Sequence, residues 1–240
     1  IFLIILGLIA TLFFGYIGGG SRRWIRLGFF NLQISEFAKI FLVLYLSKYF
    51  HNLDLKEHLE INRSLIPLLL TFLIFLLIAV QPDLGTALIV LILGCTMIFF
   101  VGIRLIFPIL VFIAIILSSP LIWILLKPYQ QNRIKTFLNP DLDPLGKGYH
   151  IIQSKIAIGS GGMRGNGFLG GSQSSLNFIP EKETDFVFSI FAEQFGFIGS
   201  LMLLILFFMM AIIPILKSIK IKNIYIKLVI LGLSFKMLIE

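Results

Sequence analysis

The acidic residue Asp185 stands where a polar stretch of the chain gives way to a long apolar one. The order Thr184-Asp185-Phe186 predicts a helix cap, with a carboxylate at the first turn of the following helix. The dipole of that helix stabilises the ionised carboxylate, whereas burial near lipid destabilises it. If burial prevails, Asp185 is a usable general base, and otherwise it is a cap. The residues alone leave both interpretations open.

Further ionisable residues lie within or at the edge of apolar runs, namely Glu36, Lys39, Asp83 and Glu193. Charges in hydrocarbon are costly, so each of these residues is a candidate for function. Glu36 and Lys39 are one helical turn apart, and a structural ion pair is the alternative for them. Asp83 comes just before an apolar run, and we expect it either to act in chemistry or to cap the helix that begins at Leu84.

The segment 159–171 is rich in glycine but matches neither common nucleotide motif. A Walker loop needs Lys after its last glycine, whereas Phe168 follows Gly167, and a dinucleotide fingerprint would need glycine in place of Arg164. We therefore expect a tight loop with exposed backbone, whose N–H groups could bind a phosphate. The three histidines have no metal-binding spacing, and no serine lies in a hydrolase elbow.

These residues are carried by a very apolar chain. Of its 240 residues, 58% are hydrophobic and 13% are charged, whereas roughly a quarter of an average globular chain is charged. Apolar runs of about 20 residues fit helices that cross a bilayer. We predict an all-α integral membrane protein, a polytopic helical bundle in which 1–240 form a single transmembrane domain. The predicted spans are 1–21, 64–82, 84–103, 105–126 and 194–216, with a weaker one at 33–50 and the start of a seventh at 228.

Lysine and arginine set the expected orientation. The connections 48–63, 103–105 and 217–227 carry eight of them, whereas the short connections of the opposite side carry only Arg22, Arg23 and Arg26, and the positive-inside rule therefore makes the first side cytoplasmic. The net charge of +8 therefore indicates orientation and contact with anionic lipid rather than nucleic-acid binding. The opposite side receives 127–184, which we predict to be a long extracytoplasmic loop with a function. Both ends of the chain lie in apolar runs, and we expect an internal part of a longer protein.

Ordered motifs extend along the whole chain. They are Arg23-Trp24-Ile25, Ser35–Lys39, Gln81–Thr86, Tyr129-Gln130, Arg133-Ile134, Asp143–Gly146, Gly148–Gly162, Pro180-Glu181 and Thr184–Phe186. In this order they resemble the SEDS family (shape, elongation, division and sporulation), and specifically its RodA branch. The resemblance implies the SEDS fold of ten transmembrane helices, about seven of them represented here. Glu183 departs from the histidine that the family often has before Thr-Asp, and Gln194 departs from a second glutamate.

The resemblance implies a peptidoglycan glycosyltransferase that polymerises lipid II at the outer face of the bacterial cytoplasmic membrane. It assigns the role of general base to Asp185, and undecaprenyl pyrophosphate leaves. Positive charge must stabilise the leaving pyrophosphate, and we expect Arg23, Arg133 and Lys155 to supply it. Trp24 either stacks on a sugar or belongs to an aromatic belt. The other expected substrate-binding residues are Glu181 and Glu193, and Glu36, Lys39 and Asp83 form a structural polar network.

No cofactor is certain from the sequence, although a divalent cation, Mg²⁺ or Mn²⁺, could assist. The partners that the resemblance implies are lipid II, a class B penicillin-binding transpeptidase and other membrane proteins of the elongation machinery. Two other classes of protein stay open. A lipid II flippase would use Glu36, Lys39, Asp83 and Glu193 as a translocation path, and a non-catalytic scaffold would tolerate loss of Asp185.

Overall fold

In a computed structural model of the chain, the described residues are 1–18, 21–27, 30–53, 61–102, 128–143, 146–168, 170–171 and 186–240, with single residues at 117, 123, 124 and 126. As predicted, this part is mostly helical and has the fold of a membrane helical bundle. Contacts divide the chain into two units, residues 1–113 with 210–240, and residues 114–209. The α-helices of the described residues are α1 Phe2–Phe14, α2 Ile34–His51, α3 Ile61–Val80, α4 Leu84–Phe100, α5 Pro128–Leu138, α6 Lys147–Ser160, α7 Val187–Ser218 and α8 Ile224–Ile239.

Two of the described helices are long and apolar enough to cross a bilayer. They are α3, over Arg63–Val80, and α7, over its whole length, while α1 and α4 are shorter apolar helices. The predicted span 105–126 falls almost entirely outside the described residues. The predicted span 1–21 is wrong in its second part, because α1 ends at Phe14 and Gly15 turns the backbone to an extended conformation.

A small antiparallel sheet follows α1 and begins within the predicted span 1–21. Its strands are β1 Tyr16–Gly18, β2 Ser21–Leu27 and β3 Phe30–Leu32, in the order β1-β2-β3. Trp24 pairs with Tyr16, and the Arg26 guanidinium lies 4.5 Å from the centre of the Tyr16 ring. The sheet satisfies backbone groups that would otherwise be exposed at the end of α1.

The first unit has an apolar core between α1, α2, α3, α4 and α8. Its buried side chains include Leu8, Leu42, Leu46, Ile74, Ile78, Val90, Leu93, Met97 and Leu228. Pro67 lies inside α3 and cannot donate to the carbonyl of Arg63, one turn earlier. The hydroxyl of Tyr49 on α2 donates to that carbonyl at 3.0 Å instead. The proline is thus accommodated without leaving an unsatisfied acceptor.

The second unit, residues 114–209, contains the whole stretch 127–184, which was predicted to be a long loop. Its described residues include α5, a short 3₁₀ helix at Pro140–Leu142, and α6. Gly148, in the first turn of α6, lies so close to the carbonyl oxygen of Pro140 that a Cβ would collide with it. Much of this stretch is therefore ordered into helices packed on one another.

Candidate functional site

Arg23 and Asp83 form the polar corner of the first unit. The guanidinium of Arg23, on β2, donates to the carbonyl of Pro82 at 2.7 Å, and its Nε lies 3.7 Å from Asp83 Oδ2. Both side chains are largely buried, with 23% of Arg23 and 8% of Asp83 exposed. The corner therefore ties the sheet to the connection between α3 and α4, and the carboxylate offsets the charge of Arg23.

The Asp83 carboxylate also caps α4, which is one of the two roles expected for it. It accepts hydrogen bonds from the backbone N–H of Thr86 at 3.4 Å and from the Thr86 hydroxyl at 2.9 Å. The side-chain amide of Gln33 approaches the same carboxylate at 3.4 Å. Because these groups come from β2, from the start of α2 and from α4, Asp83 joins three elements. The motif Gln81–Thr86 thus has a structural role in this fold.

Lys39 lies at the centre of a second polar cluster, on α2. Its side chain is 2% exposed, and its ammonium donates to Glu36 Oε1 at 2.8 Å, which confirms the ion pair expected as one of two roles. It also contacts Glu240, which in turn pairs with Lys236 at 2.5 Å on α8. Two lysines and two glutamates therefore alternate across the contact between α2 and α8. A buried ammonium is stable here because two carboxylates reach it.

In the second unit, α7 is interrupted at Gly196. This residue has a φ of 67°, which breaks the helix between Glu193 and Ile198. The break removes the bonds that the N–H groups of residues 197 and 198 would give to the carbonyls of residues 193 and 194. The glycine-rich segment 161–171 replaces them, because it lies alongside the break.

The replacement uses backbone groups on both sides of the break. Asn166 and Gly167 donate to the carbonyls of Glu193 and Gln194, each at 3.0 Å. In the other direction, Phe197 donates to Gly162 at 2.8 Å, and Ile198 donates to Met163 at 3.2 Å. All four groups that the helix break frees are thereby satisfied, as an apolar environment requires.

This arrangement changes the interpretation of the glycine-rich segment. The N–H groups of Asn166 and Gly167 are engaged with α7 and cannot both serve a phosphate. Glycine is required at two of the contacts, because Gly165 and Gly196 have positive φ and each lies against the other segment's backbone. The segment is therefore a backbone clamp on the interrupted helix. The tight turns of this segment were predicted from its glycines, whereas its contact with α7 was not.

Glu193 lies immediately before the break and is fully buried. A Cβ on Gly171 would collide with the Glu193 carboxyl group, so the last residue of the clamp packs directly on this side chain. Two turns of α7 precede this point, and they are joined to α6 by the hydroxyls of Ser154 and Ser189, 2.5 Å apart. This contact was not predicted, because two serines on separate helices leave no local signal in the sequence.

The other predicted site residues are placed as follows. Trp24 is exposed on β2, and Lys155 is exposed on α6. Arg133 lies on α5, although its side chain falls outside the described part of the chain. Glu181 and the proposed base Asp185 both lie outside the described residues, and α7 begins two residues after Asp185.

A metal site does not emerge from the described residues. Within them, no group of three or more His, Cys, Asp and Glu side chains is placed to hold a metal ion. His51 instead contacts the Tyr225 ring, with 6.2 Å between ring centres, and His150 contacts Phe186 at the same separation.

Comparison with known proteins gives one family for the whole chain. A family profile covering FtsW, RodA and SpoVE, described as cell cycle protein, matches residues 1–240. The peptidoglycan glycosyltransferase MrdB of Escherichia coli K12 is 45% identical over 206 residues, which are 85% of this chain and 55% of that relative. The stage V sporulation protein E of Bacillus subtilis 168 is 40% identical over 208 residues, which are 86% of this chain and 55% of that relative. The chain thus spans about half the length of the curated relatives it matches.

Solved structures have the same fold. A chain of a peptidoglycan synthase complex, described as coordinating polymerization and crosslinking, is 29% identical, with a TM-score of 0.78 over 98% of this chain and 64% of that one. The crystal structure of the rod shape determining protein RodA of Thermus thermophilus is 23% identical, with a TM-score of 0.64 over 98% of this chain and 60% of that one. The second likeness bears on the fold alone. Because the family profile matches all 240 residues, the chain is a membrane protein that belongs to the FtsW/RodA/SpoVE family of cell cycle proteins.

Proposed function

We propose that the complete protein is a peptidoglycan glycosyltransferase that polymerises lipid II into glycan strands. The observation that carries this proposal is the family match over residues 1–240, joined to 45% identity with a relative named as a peptidoglycan glycosyltransferase. The likeness to a chain of a peptidoglycan synthase complex supports the same reaction class. We place the reaction at the outer face of the bacterial cytoplasmic membrane, which the chain crosses several times.

In the proposed reaction, Asp185 is the general base. Its carboxylate takes the proton of an acceptor sugar hydroxyl as the oxygen attacks the anomeric carbon of the donor. The bond from that carbon to the diphosphate oxygen breaks, and undecaprenyl pyrophosphate leaves with the electron pair. A single displacement of this kind inverts the anomeric configuration.

Cationic side chains stabilise the diphosphate as its negative charge develops. Lys155 suits this role because its side chain is exposed on α6, in the same unit as the start of α7. Arg133, on α5, is the second candidate in that unit. Arg23 already pairs with Asp83 and donates to the Pro82 carbonyl, so we expect it to contribute less than the other two residues to stabilising the diphosphate.

The partners follow from the same proposal. Lipid II serves as donor, and it or a growing glycan strand serves as acceptor. A class B penicillin-binding transpeptidase would crosslink the product, which is the pairing that the synthase complex suggests by its name. Other membrane proteins of the elongation machinery complete the set, and a divalent cation, Mg²⁺ or Mn²⁺, is a candidate assistant whose need is open to direct test.

A lipid II flippase is the second candidate, and the interrupted α7 is the observation that favours it. Transporters often place substrates at broken helices inside the membrane. In this chain, however, the backbone of the segment 161–171 fills the break and uses the four freed groups. Because the break is occupied by the protein itself, we favour the transferase.

The test uses the complete protein, purified in detergent, with labelled lipid II. We expect glycan chains from the wild type and none above background from Asp185→Asn, with both proteins equally monodisperse. The matched control is Asp141→Asn, an exposed carboxylate on the 3₁₀ helix that should leave polymerisation unchanged. Equal polymer from Asp185→Asn and the wild type would contradict the assignment of the base. Transport of lipid II across sealed vesicles without polymer formation would favour the flippase.

A further inference from the structure

We propose that one exposed face of the small sheet binds the glycan strand that the proposed reaction makes. The face consists of Tyr16, Trp24, Arg26 and Asn31, and we call it the sheet face. The inference rests on the proposed function and extends it, because Tyr16, Arg26 and Asn31 were not expected to contact substrate or product.

The pairing of the three strands brings the four side chains of the sheet face together. Tyr16 on β1 lies opposite Trp24 on β2. Arg26, two residues further along β2, lies opposite Asn31 on β3. Residues directly opposite each other project from the same face of a sheet, and so do residues two apart in one strand. The two pairs therefore form one continuous surface.

The two faces of the sheet differ in exposure. On the sheet face, Tyr16 is 50% and Trp24 is 36% exposed, and Arg26 and Asn31 are exposed as well. Arg23 alternates with Trp24 along β2 and therefore belongs to the other face, where it donates to the carbonyl of Pro82 at 2.7 Å. The sheet is thus anchored to the helices through one face and open to a ligand on the other.

Arg26 is placed to bind an anionic or carbonyl group. Its guanidinium lies 4.5 Å from the centre of the Tyr16 ring, which holds the cation on the sheet. In the part of the chain that the structure describes, no carboxylate pairs with Arg26. A guanidinium has five N–H donors and no acceptor, so the ligand that suits it carries carboxylate or carbonyl oxygens.

A peptidoglycan glycan strand has the matching chemistry. Its sugars carry acetamido carbonyls, its stem peptides carry carboxylates, and the C–H groups of its rings can pack on the apolar surface of Trp24. The Asn31 amide can donate to a sugar oxygen and accept from a sugar hydroxyl. The sheet joins α1 to α2, and the predicted orientation places this connection on the outer side of the membrane, where the proposed product is made.

The surface of the lipid bilayer is the other candidate for this face, with Trp24 in an aromatic belt. A belt presents apolar rings to the lipid boundary. Here the Arg26 guanidinium lies over the Tyr16 ring, and the exposed amide of Asn31 stands opposite Arg26. Because two of the four side chains are strongly polar, we favour the glycan strand.

The test measures the binding of a lipid-free tetrasaccharide of the glycan strand, with its stem peptides, to the complete protein in detergent. We expect Arg26→Gln to raise the Kd by about tenfold, because charge-assisted hydrogen bonds are lost. Tyr16→Leu removes the support of the guanidinium, and Asn31→Ala removes a neutral hydrogen bond, so each should raise the Kd by about threefold. The matched control is Lys220→Gln, which removes an exposed charge between α7 and α8, on the predicted cytoplasmic side, and should leave the Kd unchanged.

The length of the glycan product gives a second measurement. Changes in affinity appear mostly in the dissociation rate, so a strand held about tenfold more weakly should leave about tenfold faster. We therefore expect Arg26→Gln to make shorter strands from lipid II, with an unchanged initial rate of lipid II consumption. Lys220→Gln should make strands of wild-type length.

Several outcomes would overturn the inference. One is an unchanged Kd for the tetrasaccharide in Arg26→Gln, and another is an equal loss in Lys220→Gln, which would indicate an effect of net charge alone. If Arg26→Gln weakens binding to phosphatidylglycerol vesicles but not to the tetrasaccharide, the face is a lipid contact. Thermal unfolding checks that each variant is folded, and Asn31→Ala decides the question if Arg26→Gln does not fold.

The proposed function is tested separately in the same preparation. Absence of polymer from wild-type protein and lipid II would contradict the proposed transferase. Polymer from the wild type, together with an unchanged Kd and product length in Arg26→Gln, would contradict only the role of the sheet face.

Discussion

The two units of the chain hold their polar groups together in different ways. In the first unit, side chains do so: Lys39 pairs with Glu36 and Glu240, and Arg23 pairs with Asp83. In the second unit, backbone groups do so, where the segment 161–171 pairs with the break in α7. A side-chain pair is sensitive to the removal of a charge, whereas a backbone contact at glycine is sensitive to the addition of an atom. The two units should therefore fail under opposite kinds of substitution.

The largest effect is expected from Gly196→Ala, which adds one methyl group to the backbone contact. Gly196 has a φ of 67°, and its Cβ would meet the backbone of Arg164 and Gly165. Strain and collision together should cost about 3 kcal/mol or more of stability. The measurement is the thermal unfolding of the complete protein in detergent. Gly159→Ala is the control, and an equal melting temperature for the two variants would show that the backbone contact is not tight.

The second largest effect is expected in the first unit, where removing a charge should destabilise the protein more than a change in side-chain volume does. Removing both carboxylates with Glu36→Gln and Glu240→Gln leaves the Lys39 ammonium buried without a countercharge, which should cost about 3 kcal/mol. Lys39→Met should cost clearly less, because both glutamates are partly exposed and can turn to water. The difference is read from unfolding in detergent. A larger loss from Lys39→Met than from the double glutamine variant would contradict this account.

How much of this comparison is predictable from sequence depends on the distance along the chain between the partners. The Glu36–Lys39 pair and the capping of α4 by Asp83 were each one of two roles that the sequence left open, and the structure shows both. They could be anticipated because each contact joins residues three apart. The contacts of Lys39 with Glu240 and of Arg23 with Asp83 join residues far apart, and no local pattern indicates them.

The break in α7 was missed for a different reason. Residues 194–216 form a continuous apolar run, and hydropathy registers the composition of a helix but not its continuity. The one local signal is Gly196 itself, which becomes informative only together with the glycines at 162, 165 and 167. The helices at 128–138 and 147–160 were missed because polar composition was taken to indicate a loop. The catalytic assignment of Asp185 stays a prediction, which came from the family resemblance.

The smallest effect concerns the corner of Arg23 and Asp83, whose ion pair is long, with 3.7 Å between Arg23 Nε and Asp83 Oδ2. Asp83→Ala removes the cap of α4 as well as the countercharge of Arg23, and it should cost about 1–2 kcal/mol. Arg23→Ala should cost less, because the cap is kept. Each single variant loses the ion pair, and the double variant loses the same pair only once. The destabilisation of the double variant should therefore be smaller than the sum of the two single effects by about 0.5–1 kcal/mol. Unfolding of the four proteins in detergent measures this coupling, which should shrink at high salt. Strict additivity would mean that Arg23 is held by the Pro82 carbonyl alone, and the corner would then depend on a backbone contact, as the second unit does.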